Sequence, residues 1–594
     1  MTPENRNLIL AVALSMAVLF GWQILVIQPE IEKEQAQQAL IAEQQAAKRE
    51  ADAAAGTPTI ASNGTTANPT PGMPGMPGMP GMIVQEIAPA DTAKRVTIDA
   101  PLVQGSFSLQ GARIDDIILT SYRETLDTES DNIHFLKKTS SQAPFFAEFG
   151  WASSDADQPM PSAQTLWSAD RDLLSPSSPV TLRWDNGKGL LFTRKISIND
   201  DYLITYDDAV ASTLGNAITM YPFGLVRRQG TPPTSGIYIL HEGPLGVFDE
   251  TLKEEDYSDL KDAAAGGIKI TPEGAGGWIG ITDKYWLAAL LPSQQEKFTY
   301  SFQSLPGTAD RYQVDYIDNK GLTLAAGSAV STQGRLFAGA KKVALLDYYK
   351  EEMGIPNFDL AIDFGWFYFL TKPFFYALDY LFQLFGNFGV ATLAFTVVIK
   401  LAFFPLANKS YRSMAKMRIL TPKLQSLRER FGDDRMRLNQ EMMALYKAEK
   451  VNPAAGCLPV LLQIPVFFAL YKVLFVTIEM RHAPFFGWVA DLSAPDPTSI
   501  FNIFGLLPYS VDFLPPFLQL GAWPILMGIS MFLQMRLNPA PPDPVQAKIF
   551  QFMPFFFTFL LATFPAGLVI YWTWNNLLSM AQQWYIMKQV AKSS

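Results

Sequence analysis

Lys400 lies inside an apolar stretch, Gly389–Leu406, whose other residues suit a membrane-spanning helix. A lysine at the centre of such a helix costs about 2.5–3.5 kcal/mol on the insertion scale, so it usually faces protein, water or a partner rather than lipid. We therefore expect the fold to provide a hydrated place for Lys400. That place is the leading candidate for the functional site.

Polar residues recur in the other apolar stretches of the second half of the chain. Thr396 precedes Lys400 by one helical turn and shares its face. The others are Gln463, Gln534, Asn575 and Asn576, the last two close to Tyr571 and Trp572 in the sequence. Any one of them is more often a helix–helix hydrogen-bonding residue than part of a site, but together with Lys400 they predict a hydrated concavity. Apart from Glu479 at the edge of one stretch, these stretches contain no Asp or Glu, so Lys400 is suited to attract an acidic group from elsewhere.

The residue types argue against catalysis. An intramembrane protease needs paired aspartates, a Ser/His pair or His/Glu metal ligands, and a cation transporter is expected to carry intramembrane carboxylates. His482 lies outside the apolar stretches, while His134 and His241 are isolated in the first half. The single cysteine, Cys457, rules out an intramolecular disulfide, and no phosphate-binding loop is found. We predict a protein that is not an enzyme and needs no cofactor or metal.

Composition divides the 594-residue chain, whose net charge of −9 argues against a general nucleic-acid binder. Residues 1–28 contain an apolar segment, Leu8–Ile27, long enough to span a bilayer, with Arg6 before it. We interpret this segment as an uncleaved signal anchor; a cleaved signal peptide is the alternative. Residues 29–89 are of low complexity, with Pro-Gly-Met repeats, and are interpreted as a flexible linker.

Residues 90–350 alternate between apolar and polar, as in Arg95–Asp99 and Phe192–Ile198, and are punctuated by turns such as Asp185–Gly189. Many short strands without intervening helices predict a large β-sandwich. An amphipathic helix near Val343–Met353 is expected to close this domain.

Residues 351–594 carry the long apolar runs. The aromatic-rich segment 363–385 contains Lys372-Pro373 and suits a helix lying in the headgroup plane. Five candidate spans follow it, at 387–406, 457–478, 517–536, 550–564 and 567–585. Eleven basic and five acidic residues lie in 407–454, whereas the loop 479–516 has one basic residue, Arg481. With the N-terminal anchor, the apolar runs give six spans. The positive-inside rule then orients them with both termini in the cytoplasm and the β domain exported.

Segment 410–452 is predicted to be a cytoplasmic helical hairpin. Thr421-Pro422 resembles a helix start, and Gly432-Asp433-Asp434 breaks the periodicity. Apolar stripes then form by helical spacing at Leu424, Leu427 and Phe431 and at Leu438, Met442 and Leu445. The remaining faces are basic, which favours contact with anionic lipid heads or ribosomal RNA; a solvated face that obeys the positive-inside rule is the alternative. The candidate contact residues are Lys416, Arg418, Lys423, Arg428 and Arg430.

Several motifs resemble those of the YidC/Oxa family of membrane-protein insertases. The family's cytoplasmic hairpin resembles Ser413–Arg418, Gly432–Asp434 and Gln440–Pro453; the start of its third span resembles Gly456–Pro459 and Gln463–Pro465; its final hairpin resembles Phe564–Tyr571. The resemblance covers roughly 355–590. The anchor, linker and β domain look like the long Gram-negative form, whose exported domain is a β-supersandwich.

The resemblance implies a membrane protein insertase and chaperone, a polytopic α-helical protein of the inner membrane whose five core spans enclose a groove open to the cytoplasm and to lipid. The family's groove carries a positive residue, usually Arg; the matching Lys400 keeps the charge but not the planar fork. The resemblance carries substrate contact over to Thr396, Phe467, Tyr571 and Trp572. Together with Lys400 and with Gln463 of the polar set, these residues form the candidate substrate groove. The implied partners are nascent membrane proteins, the Sec translocon, the ribosome and membrane lipids.

Two other classes of function stay open from the residues alone. A small-molecule or anion transporter would use Lys400 as its binding charge, although no internal repeat among the spans is detected. Alternatively, the β domain would be a sugar- or peptide-binding module and the spans its anchor; five further spans and a buried lysine exceed what anchoring requires.

Overall fold

The computed structural model describes residues 93–593, apart from 154, 156, 235–239, 263–267, 271–273, 306–309, 433, 450, 452–457, 508–510, 512–513, 515–517 and 539–543. The predicted anchor 1–28 and linker 29–89 lie outside the described residues.

The first part of the described chain is a β domain of two sheets. Its strands are β1 (Arg95–Asp99), β2 (Val103–Ser108), β3 (Ile114–Arg123), β4 (Asn132–Leu136), β5 (Phe145–Ser153), β6 (Ser168–Ala169), β7 (Leu173–Leu174), β8 (Val180–Asp185), β9 (Leu190–Ile198), β10 (Leu203–Ser212), β11 (Ile218–Gln229), β12 (Gly243–Phe248), β13 (Thr251–Glu254), β14 (Ile268–Ile270), β15 (Gly274–Ala275), β16 (Trp278–Thr282), β17 (Trp286–Leu291), β18 (Lys297–Ser304), β19 (Arg311–Asp318), β20 (Leu322–Leu324) and β21 (Ala329–Ala340). One sheet runs β14-β18-β19-β11-β5-β3-β2-β1-β7, with β15, β20 and β4 pairing beside that path, and the other runs β13-β12-β16-β17-β21-β10-β9-β8-β6.

Alternating burial explains why these segments form a sandwich. Along β9 every second residue is buried, so one face of the strand packs inward. Phe149 on β5 and Tyr206 on β10 meet between the two sheets, with ring centroids 4.1 Å apart. The predicted β-sandwich is therefore confirmed. The closing helix is also found, at Val343–Glu352 (α2), while a short helix, α1, spans Tyr257–Asp262.

The second part of the described chain is helical. Its helices are α3 (Tyr368–Phe385), α4 (Phe388–Ala402), α5 (Phe404–Phe431), α6 (Arg435–Ala448), α7 (Leu458–Val476), α8 (Ala522–Leu537), α9 (Pro544–Leu560) and α10 (Ala566–Ser593). Short 3-10 turns lie at Phe358–Ala361, Ile478–Met480, Ile500–Asn502 and Leu561–Thr563.

The hairpin prediction is wrong about where its first helix starts. Helix α5 begins at Phe404, bent by 69° from α4, and continues through Pro422 to Phe431. A proline inside a helix removes one backbone hydrogen bond. Here Tyr411 and Met414 pack against Ile586 of α10, and this tertiary contact holds the preceding turns of α5 in place. The second helix of the hairpin, α6, ends near the predicted boundary.

Other helix bounds also differ from the predicted ones: α4 ends at Ala402 rather than 406, α8 begins at Ala522 rather than 517, and α9 spans Pro544–Leu560 rather than 550–564. The segment predicted as an interfacial helix, 363–385, becomes helical only at Tyr368, and α10 continues to Ser593 rather than ending at 585. Among the described residues, no single helix is both long and apolar enough to cross a membrane alone; α4 and α5 together meet that requirement as a bent pair. The count of six spans stays a prediction.

Charged contacts fasten the helices to the β domain. Lys372 on α3 donates to Asp347 of α2 and to Asp359, each at 2.6 Å. Arg481, after α7, donates to the backbone oxygen of Arg123 at the end of β3, at 2.7 Å. Lys372 therefore ties the helical core to the β domain. In the sequence, Lys372 is recognisable only as an interruption of an apolar run.

Candidate functional site

Helices α4, α5, α7, α8 and α10 enclose a cavity of about 100 Å³, which is room for several water molecules. It is lined by Thr396, Ile399, Lys400, Phe403, Leu406, Ala407, Tyr411, Met414, Gln463, Val466, Gln534, Asn538, Tyr571, Asn575, Ser579 and Gln582. A space between helices therefore lies at Lys400, and its hydration stays a prediction.

The start of α4 explains how Lys400 reaches this cavity. The Asn387 side chain accepts a hydrogen bond from the backbone N–H of Val390 and so caps the helix. The following turns bury Ala391, Phe395 and Thr396 against the core, which fixes the rotation of the helix. Lys400 follows one turn after Thr396 and is therefore placed at the cavity while its neighbours Val397 and Val398 remain exposed.

The Lys400 ammonium group has a neutral partner. Its Nζ donates to Ser579 Oγ at 2.6 Å, and Ser579 Oγ in turn donates to the backbone oxygen of Asn575 at 2.7 Å. No carboxylate is found among the described residues that line the cavity. The positive charge is therefore hydrogen-bonded but not neutralised by an ion pair.

Two amide nitrogens add to this donor-rich lining. Asn575 Nδ2 and Gln582 Nε2 are buried and have no hydrogen-bond partner within the described part of the chain. A buried donor without a partner typically costs about 1–3 kcal/mol. Together with Lys400, these groups suit the cavity to hydrogen-bond acceptors such as backbone carbonyls and carboxylates.

The structure brings four of the six predicted groove residues to the cavity, namely Thr396, Lys400, Gln463 and Tyr571. The Thr396 hydroxyl donates to the backbone oxygen of Thr392 at 2.7 Å, so its hydrogen is already used within α4. Thr396 therefore forms part of the cavity wall but does not offer a free hydrogen-bond donor to it.

The other two predicted residues, Phe467 and Trp572, do not line the cavity but contact each other beside it. Their ring centroids are 4.8 Å apart, and Trp572 also lies 5.6 Å from Phe557. Phe467 follows Gln463 by one turn of α7, and Trp572 follows Tyr571 directly on α10. An aromatic cluster therefore adjoins the polar cavity.

Asn576 forms a hydrogen bond between two packed helices. It donates to Ser530 Oγ of α8 at 3.0 Å and lies outside the cavity lining. Gln534 and Asn575, in contrast, both line the cavity.

Ser579 and Gln582 were missed by the sequence analysis. Their signal is spacing, since Tyr571, Asn575, Ser579 and Gln582 follow one another at intervals of four, four and three residues. This is the repeat of one helix face. Searching the last apolar stretch for a polar stripe, rather than for single polar residues, would have found them.

The hairpin residues predicted to contact anions lie apart from the cavity. Lys416, Arg418, Lys423 and Arg430 are exposed, and Arg428 is half-buried. Lys423 forms an ion pair with Glu449 at 2.7 Å, joining the two helices of the hairpin. The buried Leu424 and the less exposed Leu427 and Phe431 form the predicted apolar stripe of α5, and the contact with lipid heads or ribosomal RNA stays a prediction.

The described chain has two parts, a two-sheet β domain and a helical core that contains a cavity with a lysine. Family models describe the same two parts: "YidC periplasmic domain" matches residues 95–377, and "60Kd inner membrane protein" matches residues 380–593.

Full-length relatives identify the family. The chain is 51% identical to the membrane protein insertase YidC of Methylorubrum extorquens, covering 99% of this chain and 95% of the relative. It is 49% identical to the YidC of Granulibacter bethesdensis, covering 99% and 98%. The chain belongs to the YidC family of membrane protein insertases.

Solved structures give more distant matches. A crystal structure of an active YidC insertase with its first transmembrane domain resolved has 16% identity and a TM-score of 0.34, covering 83% of this chain and 93% of that one. A galactose mutarotase related enzyme from Lactobacillus acidophilus has 8% identity and a TM-score of 0.29, covering 41% and 97%.

Proposed function

We propose that this chain inserts segments of newly made membrane proteins into the inner membrane through the cavity around Lys400. The observation that carries this proposal is a lysine in a cavity whose described lining holds no carboxylate. Such a cation attracts an acidic tail or short polar loop, because two charges in a cavity walled by protein interact more strongly than they do in bulk water. A cavity that also offers amide donors shortens the distance that a polar segment must cross in hydrocarbon.

The aromatic cluster of Phe467, Trp572 and Phe557 supplies the second half of the mechanism. It adjoins the cavity, so a polar tail held near Lys400 leaves its following apolar helix against these rings. The helix then passes from the aromatic surface into lipid, and its own partitioning drives the step. No nucleotide is required by this scheme.

The wider setting is part of the same proposal. The chain is a multi-pass inner-membrane protein of six spans, with its termini cytoplasmic and its β domain periplasmic. It acts alone or with the Sec translocon and receives nascent chains from the ribosome at the hairpin. Relatives named as insertases, together with a cavity suited to polypeptide acceptors, favour this function over small-molecule or anion transport.

The test is site-specific photocrosslinking from Phe467 and Trp572 to a ribosome-stalled membrane protein with a short acidic N-terminal tail. Phe468, the exposed neighbour of Phe467, is the matched control position. We expect crosslinks from Phe467 and Trp572 that weaken in Lys400→Ala and survive in Lys400→Arg, and that lose this dependence when the tail is neutral. Absence of crosslinks at both positions in a folded, membrane-embedded protein would overturn the proposal.

A further inference from the structure

The segment between α7 and α8 carries an apolar surface that the groove does not use. Six large apolar residues within eight positions are exposed, and Leu506 is exposed to 80%. They are Ile500, Phe501, Ile503, Phe504, Leu506 and Leu507. No charged residue occurs from 497 to 511. We call residues 500–507 the apolar loop.

The backbone of the apolar loop is bonded within the protein. Consecutive turns join Ile503 N to Ile500 O, Phe504 N to Ser499 O, Gly505 N to Asn502 O, Leu506 N to Ile503 O and Leu507 N to Asn502 O, at 2.6–3.2 Å. Ile500 N donates to Leu520 O at 2.9 Å, and Phe501 N donates to Ser499 Oγ at 3.2 Å. Irregular backbone can enter lipid only where its polar groups find partners in the protein. The apolar loop meets that requirement for the N–H groups named here.

The loop also keeps an unfavourable conformation while its apolar side chains stay outside the core. Ile503 and Phe504 have φ of 52° and 56°, the left-handed region that β-branched and bulky residues rarely adopt. Both side chains are exposed. In water, no burial of apolar surface offsets the cost of this backbone conformation. Transfer of the two side chains into an apolar medium removes them from water and stabilises the conformation.

Asp496 fixes the loop to the start of α8. Its Oδ1 accepts from Trp488 Nε1 at 3.1 Å and from Thr498 Oγ1 at 2.7 Å, and its Oδ2 accepts from the backbone N–H of Trp523 at 2.8 Å. The half-exposed Trp488 is thereby held by its polar edge, as interfacial tryptophans are. The exposed face of α8, at Leu526, Ile529 and Leu533, continues the apolar surface along the helix.

Contacts with the β domain show which end of the helices carries the loop. Tyr285 of the β domain donates to Ser493 Oγ at 3.4 Å, and Arg481 donates to the backbone oxygen of Arg123. The loop therefore leaves the helical core at the end that meets the β domain. That domain matches the family model of the YidC periplasmic domain.

We propose that the apolar loop is embedded in the outer leaflet of the bilayer, at the boundary of headgroups and acyl chains, and anchors the periplasmic end of the core beside α8. The internally bonded backbone, the absence of charge and the continuity with the exposed face of α8 favour lipid over a protein partner. This inference rests on the periplasmic position of the β domain given under the proposed function, and it does not depend on Lys400 or on the groove.

The test places an environment-sensitive fluorophore in the full chain, with Cys457→Ser as background, at Phe504→Cys or Leu506→Cys. The labelled protein is reconstituted into phosphatidylethanolamine–phosphatidylglycerol vesicles without a client. Ser177→Cys on the exposed β-domain surface is the aqueous control, and Leu533→Cys on α8 is the lipid control. Gel filtration and thermal unfolding check that each variant is folded.

We expect the 504 and 506 labels to be quenched by nitroxides carried near the lipid headgroups and to resist aqueous iodide at least several-fold better than the 177 label. Iodide quenching equal to that at 177 would overturn the proposal. Protection from both quenchers would also overturn it and would indicate a protein partner or a second copy. Because no client is present, failure here leaves the groove proposal untouched, and loss of crosslinks at Phe467 would leave the loop's position untouched.

Discussion

Arg194 of the β domain and Lys400 of the helical core are two cations, one buried and one half-buried, that have different kinds of partner. In the β domain, Arg194 on β9 faces Asp208 on β10, and the pair forms two parallel hydrogen bonds of 2.7 and 2.6 Å. In the core, Lys400 donates to the neutral Ser579 instead. A cation whose charge is matched inside the fold serves the fold. Lys400, which has a neutral partner and faces a cavity, remains available to a ligand.

A buried anion of the β domain, Asp315, is stabilised by several neutral hydrogen-bond donors. Asp315 accepts hydrogen bonds from Ser301, Gln303 and Gln313 at 2.5–2.7 Å. Burial raises the pKa of Asp315 to about 6, even though these donors favour its charged form. The Asp315 carboxylate is therefore surrounded by donors, whereas the cavity of the core leaves the amide donors of Asn575 and Gln582 without partners among the described residues.

The largest effect is expected from breaking the matched pair. Asp208→Ala leaves the Arg194 guanidinium buried and uncompensated, which should lower the free energy of unfolding by about 3–5 kcal/mol. Thermal unfolding of the full chain in detergent, followed by tryptophan fluorescence, measures this loss. The double variant Arg194→Met/Asp208→Leu should recover most of it, because no lone charge remains. Equal losses in the single and double variants would contradict the account of the pair.

The junction between the two regions should respond to pH through Glu479. Its Oε1 accepts from the backbone N–H of Val343 at 3.0 Å, while its Oε2 is buried without a partner among the described residues. Burial raises the pKa of Glu479 to about 7, and nearby Asp379 acts in the same direction. A raised carboxyl pKa means that the folded state binds the proton more tightly than the unfolded state. The stabilising effect is complete below the ordinary pKa and is lost as pH rises through about 7.

Glu479→Gln keeps an acceptor for Val343 but removes the charge. At pH 8 this variant should be more stable than the parent chain by roughly 3 kcal/mol, and the difference should vanish toward pH 4. Thermal unfolding at unit steps of pH measures it. A constant difference between the two proteins over this range would show that the Glu479 carboxyl does not titrate as inferred.

Removing the charge of Lys400 should stabilise the protein, in contrast to Asp208→Ala, but should weaken its function. Lys400→Met replaces a half-buried charge with an apolar side chain of similar length, so we expect the free energy of unfolding to rise by about 1–2 kcal/mol while crosslinking to an acidic-tailed client falls. Ser579→Ala, which removes the neutral partner, is the control for simple loss of a hydrogen bond. If Lys400→Met were destabilised as strongly as Asp208→Ala, Lys400 would be needed for the stability of the fold, as Arg194 is, and the contrast between the two cations would be wrong.

The same contrast explains what the sequence could predict. The strands follow from alternation, and Lys400 stands out because a charge in an apolar run has a known cost. The pairing of Arg194 with Asp208 depends on the register of two strands, which the pattern does not specify. Ser579 escaped notice because a single serine in a membrane helix carries no signal until its helical neighbours are considered.

Tertiary contacts account for the remaining misses. A local rule placed a helix start at Thr421-Pro422, but packing of Tyr411 and Met414 against α10 holds one helix from Phe404 onward. Lys372 interrupts an apolar run in the sequence, yet in the fold it is the tie between α3 and the acidic groups beside the β domain.

The smallest effect on stability is expected at the surface of the hairpin, where a cation is neither buried nor essential to packing. Lys423 pairs with Glu449 in solvent, so Lys423→Ala should change the free energy of unfolding by no more than about 0.5 kcal/mol. Its binding role should still be measurable, because each neutralised phosphate adds to the salt dependence of affinity. We expect the plot of log affinity against log salt concentration to become less steep by about one unit.

Cosedimentation with ribosomes and flotation with anionic vesicles, each across a salt series, identify which anion the hairpin contacts. Lys320→Ala, at an exposed position in the β domain, is the matched control and should alter neither assay. An unchanged slope in both assays would assign the basic faces of the hairpin to solvation alone. The hairpin charges would then orient the chain in the membrane without binding a partner, and Lys400 would be the cation through which the core engages its clients.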